Sequence, residues 1–206
     1  MTPHVVRTRA AKSDMTPDSP VRDALAEHYR AHGLPADGGA ADPWFRVRLG
    51  ALSVRLPNPP ARRRAVFLHD VNHLATGYNV TFSDGEIAIA AFEVGAGCGH
   101  FAIVWFINLC MLAIGLVLGP RTVFRAFRRG RHSISIYRDV PPREHLATMS
   151  IAAIRQRLGL DPAQPDAGRS DYVAFAGWAC VAVGVLVAPV GLVLGAAWLG
   201  LRAWLR

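Results

Sequence analysis

The chain has 206 residues, enough for one hydrophobic core and too few for a second full domain. Apolar residues make up 51% and the mean hydropathy is +0.22, high for a soluble domain and low for a polytopic membrane protein, so a polar domain with a few membrane-contacting segments is expected. The net charge of +8 rests almost wholly on arginine, and the basic residues flank apolar segments without interleaved aromatics, so anionic lipid headgroups are the expected partner and nucleic acid is not.

In chain order, residues 1–20 are polar, lack the apolar core of a signal peptide and are expected to be disordered. Val21, Leu25 and Tyr29 lie at helical spacing, with Gly33 as a stop. After a loop at 38–43, Phe45, Val47 and Leu49 alternate with Arg46 and Arg48 as an extended segment, which Pro57-Asn58-Pro59-Pro60 ends. Arg62, Arg63 and Arg64 lead into a helix ending near Gly77. A turn-like connection over 76–83 precedes a helix from about Asp84 to Val94, which Gly95, Gly97 and Gly99 interrupt.

Residues 101–119 form an uncharged apolar run about long enough to cross a bilayer core of ~30 Å. Pro120 follows, then Arg121, Arg125, Arg128, Arg129 and Arg131, which read as a cytoplasmic flank or as a headgroup or pyrophosphate clamp. Residues 143–160, with Ile151, Ile154 and Leu158, read as one amphipathic helix. Residues 161–171 are a polar linker, and 172–206 are a hydrophobic anchoring segment containing Pro189 and ending in Arg202, Trp204 and Arg206. The three cysteines form no disulfide framework and fit a reducing compartment. Cys110 and Cys180 are expected as inert buried thiols, while Cys98 lacks a partner at ligand spacing.

The densest chemistry is His69-Asp70-Val71-Asn72-His73, followed by Glu86 and Glu93. On a helix, His69 and His73 share a face, and Asp70 borders it. Two neutral imidazoles with oxygen ligands suit zinc or another borderline divalent metal. Glu86 has a competing structural reading, because Ser83-Asp84-Gly85-Glu86 fits a capping box that would turn the glutamate back on the backbone. Glu93 sits among Ala90, Ala91, Phe92 and Val94, where a glutamate needs a partner. Asn108, alone in the apolar run, reads as a helix–helix contact.

His69-Asp70-x-x-His73, then Gly85-Glu86, then Phe92-Glu93, resembles the coenzyme Q biosynthesis protein 4 (Coq-four) family. Leu56-Pro57-Asn58, Arg62-Arg63-Arg64, Gly77-Tyr78 and residues 154–159 extend the likeness over most of 21–160. The resemblance implies an all-α domain with an apolar lipid-facing helix, and a divalent metal, zinc for choice, held by His69, Asp70, His73 and Glu86. It implies a role in ubiquinone assembly, where the ring carboxyl of a polyprenylated hydroxybenzoate is replaced by hydroxyl. Asp70 or Glu93 is then the expected proton-handling group. A non-catalytic scaffold that binds prenyl lipid is the alternative.

The partners implied are a prenylated quinone precursor or another isoprenoid lipid, the membrane and other quinone-biosynthesis proteins, with a homodimer left open. The location expected is the cytoplasmic face of a bacterial inner membrane. The interval from His73 to Glu86 is one residue longer than the family's spacing, and the segment from Tyr172 onward is an addition to the family core. If residues 101–119 spanned the membrane, the metal motif and the arginine run would face opposite sides. A buried or half-inserted helix is therefore expected there, with the C-terminal segment as the anchor; spanning by both segments is the alternative.

Overall fold

The computed structural model describes residues 16–49, 52–138, 142–160 and 166–204, and the fold is mostly helical. Helix α1 (Val21–Ala31) buries Val21, Ala24, Leu25 and Tyr29 on one stripe and stops at Gly33, whose φ of 64° suits a residue without Cβ. The helical fold carries one small hairpin, where the extended segment was expected. Strands β1 (Trp44–Leu49) and β2 (Leu52–Pro57) pair antiparallel, because period-two alternation continues on both sides of Gly50. Helix α2 (Pro60–Thr76) starts on a proline, whose missing N–H costs nothing there, and ends at left-handed Gly77.

A single π turn (Phe82–Glu86) feeds α3 (Ile87–Ala96), and α4 (Ala102–Leu118) and α5 (Pro120–Arg131) follow. Gly95 packs rather than breaks its helix. A Cβ there would stand 2.1 Å from the Phe127 carbonyl oxygen, and one on Gly130 would stand 2.0 Å from that of Phe92. Small residues at 91 and 95 and at 126 and 130 thus bring the α3 and α5 backbones into contact. The α5 arginines divide between structure and surface. Arg129 donates to the Thr76 carbonyl at 2.8 Å, Arg131 pairs with Asp171 at 3.3 Å, and Arg121 and Arg125 are exposed.

The expected helix over 143–160 is two helices, α6 (Arg143–Thr148) and α7 (Ile151–Arg157). Between them Met149 and Ser150 are extended, and Ser150 caps α7 through the Ala153 N–H. The break is where the N-terminal segment docks: Val21 N–H donates to Met149 O at 2.9 Å, and Ile151 N–H to Ser19 O at 3.1 Å. Residues 16–20 are therefore ordered, against expectation. The remainder of the expected disordered segment, residues 1–15, lies outside the described residues, as do 161–165 of the linker.

Helix α8 (Arg169–Trp204) is longer than the expected anchor and begins inside the expected linker. Its span Arg169–Pro189 is long and apolar enough to cross a membrane, and only 6% of it is buried within the protein. One face meets the domain: Trp178 stacks on Trp105 at 5.0 Å, Phe175 and Tyr172 meet Phe124, and Ala182 is fully buried. Buried Asp171 accepts from His132 at 3.0 Å. Cys180, expected buried, is exposed on α8, while Cys98 is the buried thiol. Arg202 lies over Trp198 at 4.0 Å, and Arg206 lies outside the described residues.

Candidate metal centre

Helix α2 delivers His69 and His73 one turn apart, and the π turn delivers Glu86. The three side chains converge: the imidazole Nε2 atoms stand 3.2 Å apart, with Glu86 Oε2 at 3.7 Å from His69 and Oε1 at 3.6 Å from His73. Glu86 is not turned back on Ser83, whose hydroxyl donates to Asp84 instead, so the capping box is not formed. The reason is local. The Glu86 N–H reaches back five residues to Thr81 O at 2.9 Å, the wider winding of a π turn, and this carries the carboxylate to the histidine face. Gly85 makes the turn possible, since a Cβ there would stand 1.6 Å from the Asn79 carbonyl oxygen.

Each imidazole is oriented from behind. The His73 Nδ1 faces the Tyr78 carbonyl at 3.0 Å, an acceptor only, so the proton is on Nδ1 and Nε2 presents a lone pair. The His69 Nδ1 donates to Glu93 Oε1 at 3.2 Å. Glu93 is fully buried, and the same Oε1 accepts from Asn72 Nδ2 at 2.8 Å and from the Tyr137 hydroxyl at 2.9 Å, while Oε2 accepts from Asn108 Nδ2 at 2.7 Å. Glu93 thus sits behind His69 with its oxygens engaged. Such carboxylate–histidine pairs fix the tautomer and orientation of a metal-binding imidazole.

The electrostatics follow from this geometry. Burial opposes charge on His69, but Glu93 and Glu86 hold its pKa well above the usual imidazole range. Burial, and then positive His69, lower that of His73. Burial works against ionised Glu86 and Glu93, yet His69 keeps both carboxyls below the usual range. A proton on His69 Nε2 therefore points between two imidazoles and a carboxylate, where a cation would satisfy all three.

The donor set fits a metal. Among the described residues, His69, His73 and Glu86 form a group whose ligand atoms all lie within 4.8 Å of one another. Ligand atoms about 2.0–2.1 Å from a tetrahedral ion are about 3.3 Å apart, which the 3.2 Å edge between the imidazoles matches, while Glu86 meets the two imidazoles through different oxygens. His73 is nearly covered, at 2% side-chain exposure, whereas His69 and Glu86 are 29% and 32% exposed, so the site opens on one side. Three protein ligands with an open position is the arrangement of catalytic rather than structural zinc.

Asp70 lies beside this group and outside it. Its Oδ2 accepts from the Tyr29 hydroxyl at 2.6 Å, in a niche where a Cβ on Gly38 would stand 2.8 Å from the same oxygen. Burial pushes the Asp70 carboxyl up to about 6. Sequence reasoning missed His28, Tyr29, Asn72 and Tyr137. His28 stacks at 6.4 Å on His73, and burial lowers its pKa to about 4. Its spacing from Tyr29 and His32 on α1 was a weak local signal; Tyr137 carried none. Asn108, read as a helix–helix contact, makes that contact through Glu93. Cys98, raised by burial and by the Glu93 charge, stays a neutral thiol 3.5 Å from the Glu93 carbonyl. Compared with family models, curated proteins and solved structures, the chain finds no match.

Proposed function

We propose that this chain is a membrane-anchored, divalent-metal protein of ubiquinone assembly, acting where a polyprenylated hydroxybenzoate-like ring loses its carboxyl. The observation that carries the reading is the convergence of His69, His73 and Glu86, with both imidazoles aimed by hydrogen bonds from behind. His69, His73 and Glu86 hold the ion, and Asp70 stands alongside. When bound, the metal supplies a Lewis acid for the ring's phenolate and carboxylate oxygens, which lowers the barrier as carbon dioxide leaves. Asp70, whose carboxyl burial pushes up to about 6, is the proton-handling group. Glu93, behind His69, is a positioning residue. Zinc does not change oxidation state, so with zinc the residues serve loss of carbon dioxide alone: the carbon–carbon bond breaks, its electron pair stays on the ring carbon, and a proton takes the place of the carboxyl. The prenyl tail runs toward the apolar outer faces of α4 and α8, where Phe106, Val117 and Val181 are exposed. The arginines flanking the apolar segments support a reading in which the domain lies at the cytoplasmic face of a bacterial inner membrane.

The test is elemental analysis of detergent-purified protein. Wild type is expected to hold about one divalent ion per chain, lost in His69→Ala, His73→Ala and Glu86→Ala. No metal in folded, reconstituted wild type would sink the reading. Unchanged turnover of a prenylated hydroxybenzoate by His73→Ala would remove the metal from catalysis.

The exposed apolar faces of α4 and α8 favour a second reading, a non-catalytic scaffold that presents prenyl lipid. Co-purifying prenyl lipid that survives loss of both histidines would select it.

A further inference from the structure

The proposed chemistry leaves the β1–β2 hairpin without a role. Residues 44–57 carry three arginines and no acidic residue. Directly opposed residues of an antiparallel pair share a face, and here the register sets like against like. Arg46 is opposite Arg55, while Phe45 is opposite Leu56, Val47 opposite Val54 and Leu49 opposite Leu52. Like charges directly opposed weaken a strand pair, and a two-stranded hairpin is marginal in water on its own. Such an element calls for an external anion on one face and apolar cover on the other. Trp44 shares the arginine face, is 49% exposed and has the Arg55 guanidinium 6.0 Å from its ring, while Leu56, 40% exposed, lies on the other face beside Phe45.

The base of the hairpin is firmly held. Asn58 N–H donates to Pro43 O at 2.8 Å, and its side chain donates to Asp42 O at 2.8 Å. Arg62, in the first turn of α2, donates to Asn58 Oδ1 at 3.1 Å and lies over Phe45 at 3.9 Å. The hairpin is thus tied to the helix that carries His69 and His73.

We propose that the arginine face of this hairpin docks on an anionic bilayer surface, with Arg55 on headgroup phosphates and Trp44 beside it in the interfacial layer. Aromatic and arginine side chains partition to that layer, because one part of each is apolar and the other polar. The proposal rests on α8 bringing the chain to a bilayer. It adds that the metal centre is held at headgroup depth: His69 is seven residues along α2 from Arg62, about 10 Å. A ring tethered by its tail in the leaflet is then within reach of the site.

The experiment uses the full chain with vesicles of phosphatidylcholine alone, or of phosphatidylcholine with about one-quarter phosphatidylglycerol, the lipids brominated near the headgroup. Flotation reports α8. The fluorescence of wild type minus that of Trp44→Phe reports the hairpin. The Trp44 component is expected to be quenched on the anionic vesicles, and Arg55→Glu is expected to weaken that docking roughly thirtyfold. Flotation with an unquenched Trp44 overturns the hairpin proposal and leaves the anchor standing. Equal quenching on neutral vesicles overturns recognition of the anionic headgroup. Failure to float on either vesicle overturns both.

Discussion

Helices α4 and α8 are both long, apolar and uncharged in their middle, and the fold uses them in opposite ways. Helix α4 buries Val104, Leu109, Leu112 and Ala113 and sends Asn108 into the polar knot around Glu93. Helix α8 meets the domain along one stripe and leaves Val181, Val183, Leu186 and Val187 exposed. Glycines mark the same contrast. A Cβ on Gly115 of α4 would stand 2.5 Å from Val123, whereas around Gly177, Gly184, Gly191 and Gly195 of α8 there is open space. A core helix is thus distinguished by a polar group that finds its partner inside the protein and by close backbone approach. Helix α8 has neither along most of its described length, and its span Arg169–Pro189 is long and apolar enough to cross a membrane.

The largest effect expected is on the α4 side. Glu93→Ala leaves His69, Asn72, Asn108 and Tyr137 without their shared acceptor and should cost about 3–5 kcal/mol. Thermal unfolding in detergent checks this, and a shift no larger than a surface substitution would undo the account of the knot. On the α8 side, Leu186→Lys should leave the domain folded while opposing membrane insertion by about 2.5–3.5 kcal/mol. Insertion assays read this, and unaltered insertion would mean that α8 is not the span.

A finer comparison pairs Gly115→Ala with Gly184→Ala. Overpacking at the first should cost about 1–3 kcal/mol, while the second should be neutral or gain up to about 1 kcal/mol from helix propensity. Equal effects on the unfolding midpoint would erase the distinction between the helices.

The smallest effect is the proton linkage that α4 helps to set through Glu93. His69 without metal keeps its proton well above the usual imidazole range, and a metal must displace it. Metal affinity should therefore fall about tenfold for each unit by which pH is lowered below that point. Metal titrations at stepped pH check the slope. With Asn108→Ala, Glu93 loses one donor and the histidine proton is held more tightly, so the weakening extends to higher pH.

Much of the site was legible. The His69–His73 pair follows from helix periodicity, and the need of Glu93 for a partner follows from its apolar neighbours. Glu86 was not decidable: the same four residues fit a capping box or a ligand, and one extra residue of winding at 82–86 turns the carboxylate from the cap to the histidines. Asp70 borders the motif in sequence but faces Tyr29, which α1 brings across from 41 residues away. The expected single helix over 143–160 failed for a related reason, since the pairing of Pro20 with Ser150 outweighs the helical propensity of the stretch between α6 and α7.

The sequence by itself determined the helix ends at Gly33, Gly77 and Pro120, the shared face of the two histidines, and the presence of two long apolar helices. These depend on backbone torsions and on residues a turn apart, which act locally. Only the tertiary structure decided which apolar helix is core, that Tyr137 and Asn108 complete the Glu93 knot, and that Glu86 converges on the two histidines while Asp70 meets Tyr29. Those choices rest on hydrogen bonds and burial between residues far apart in the chain. Such energies exist only once packing has brought the groups together and excluded water.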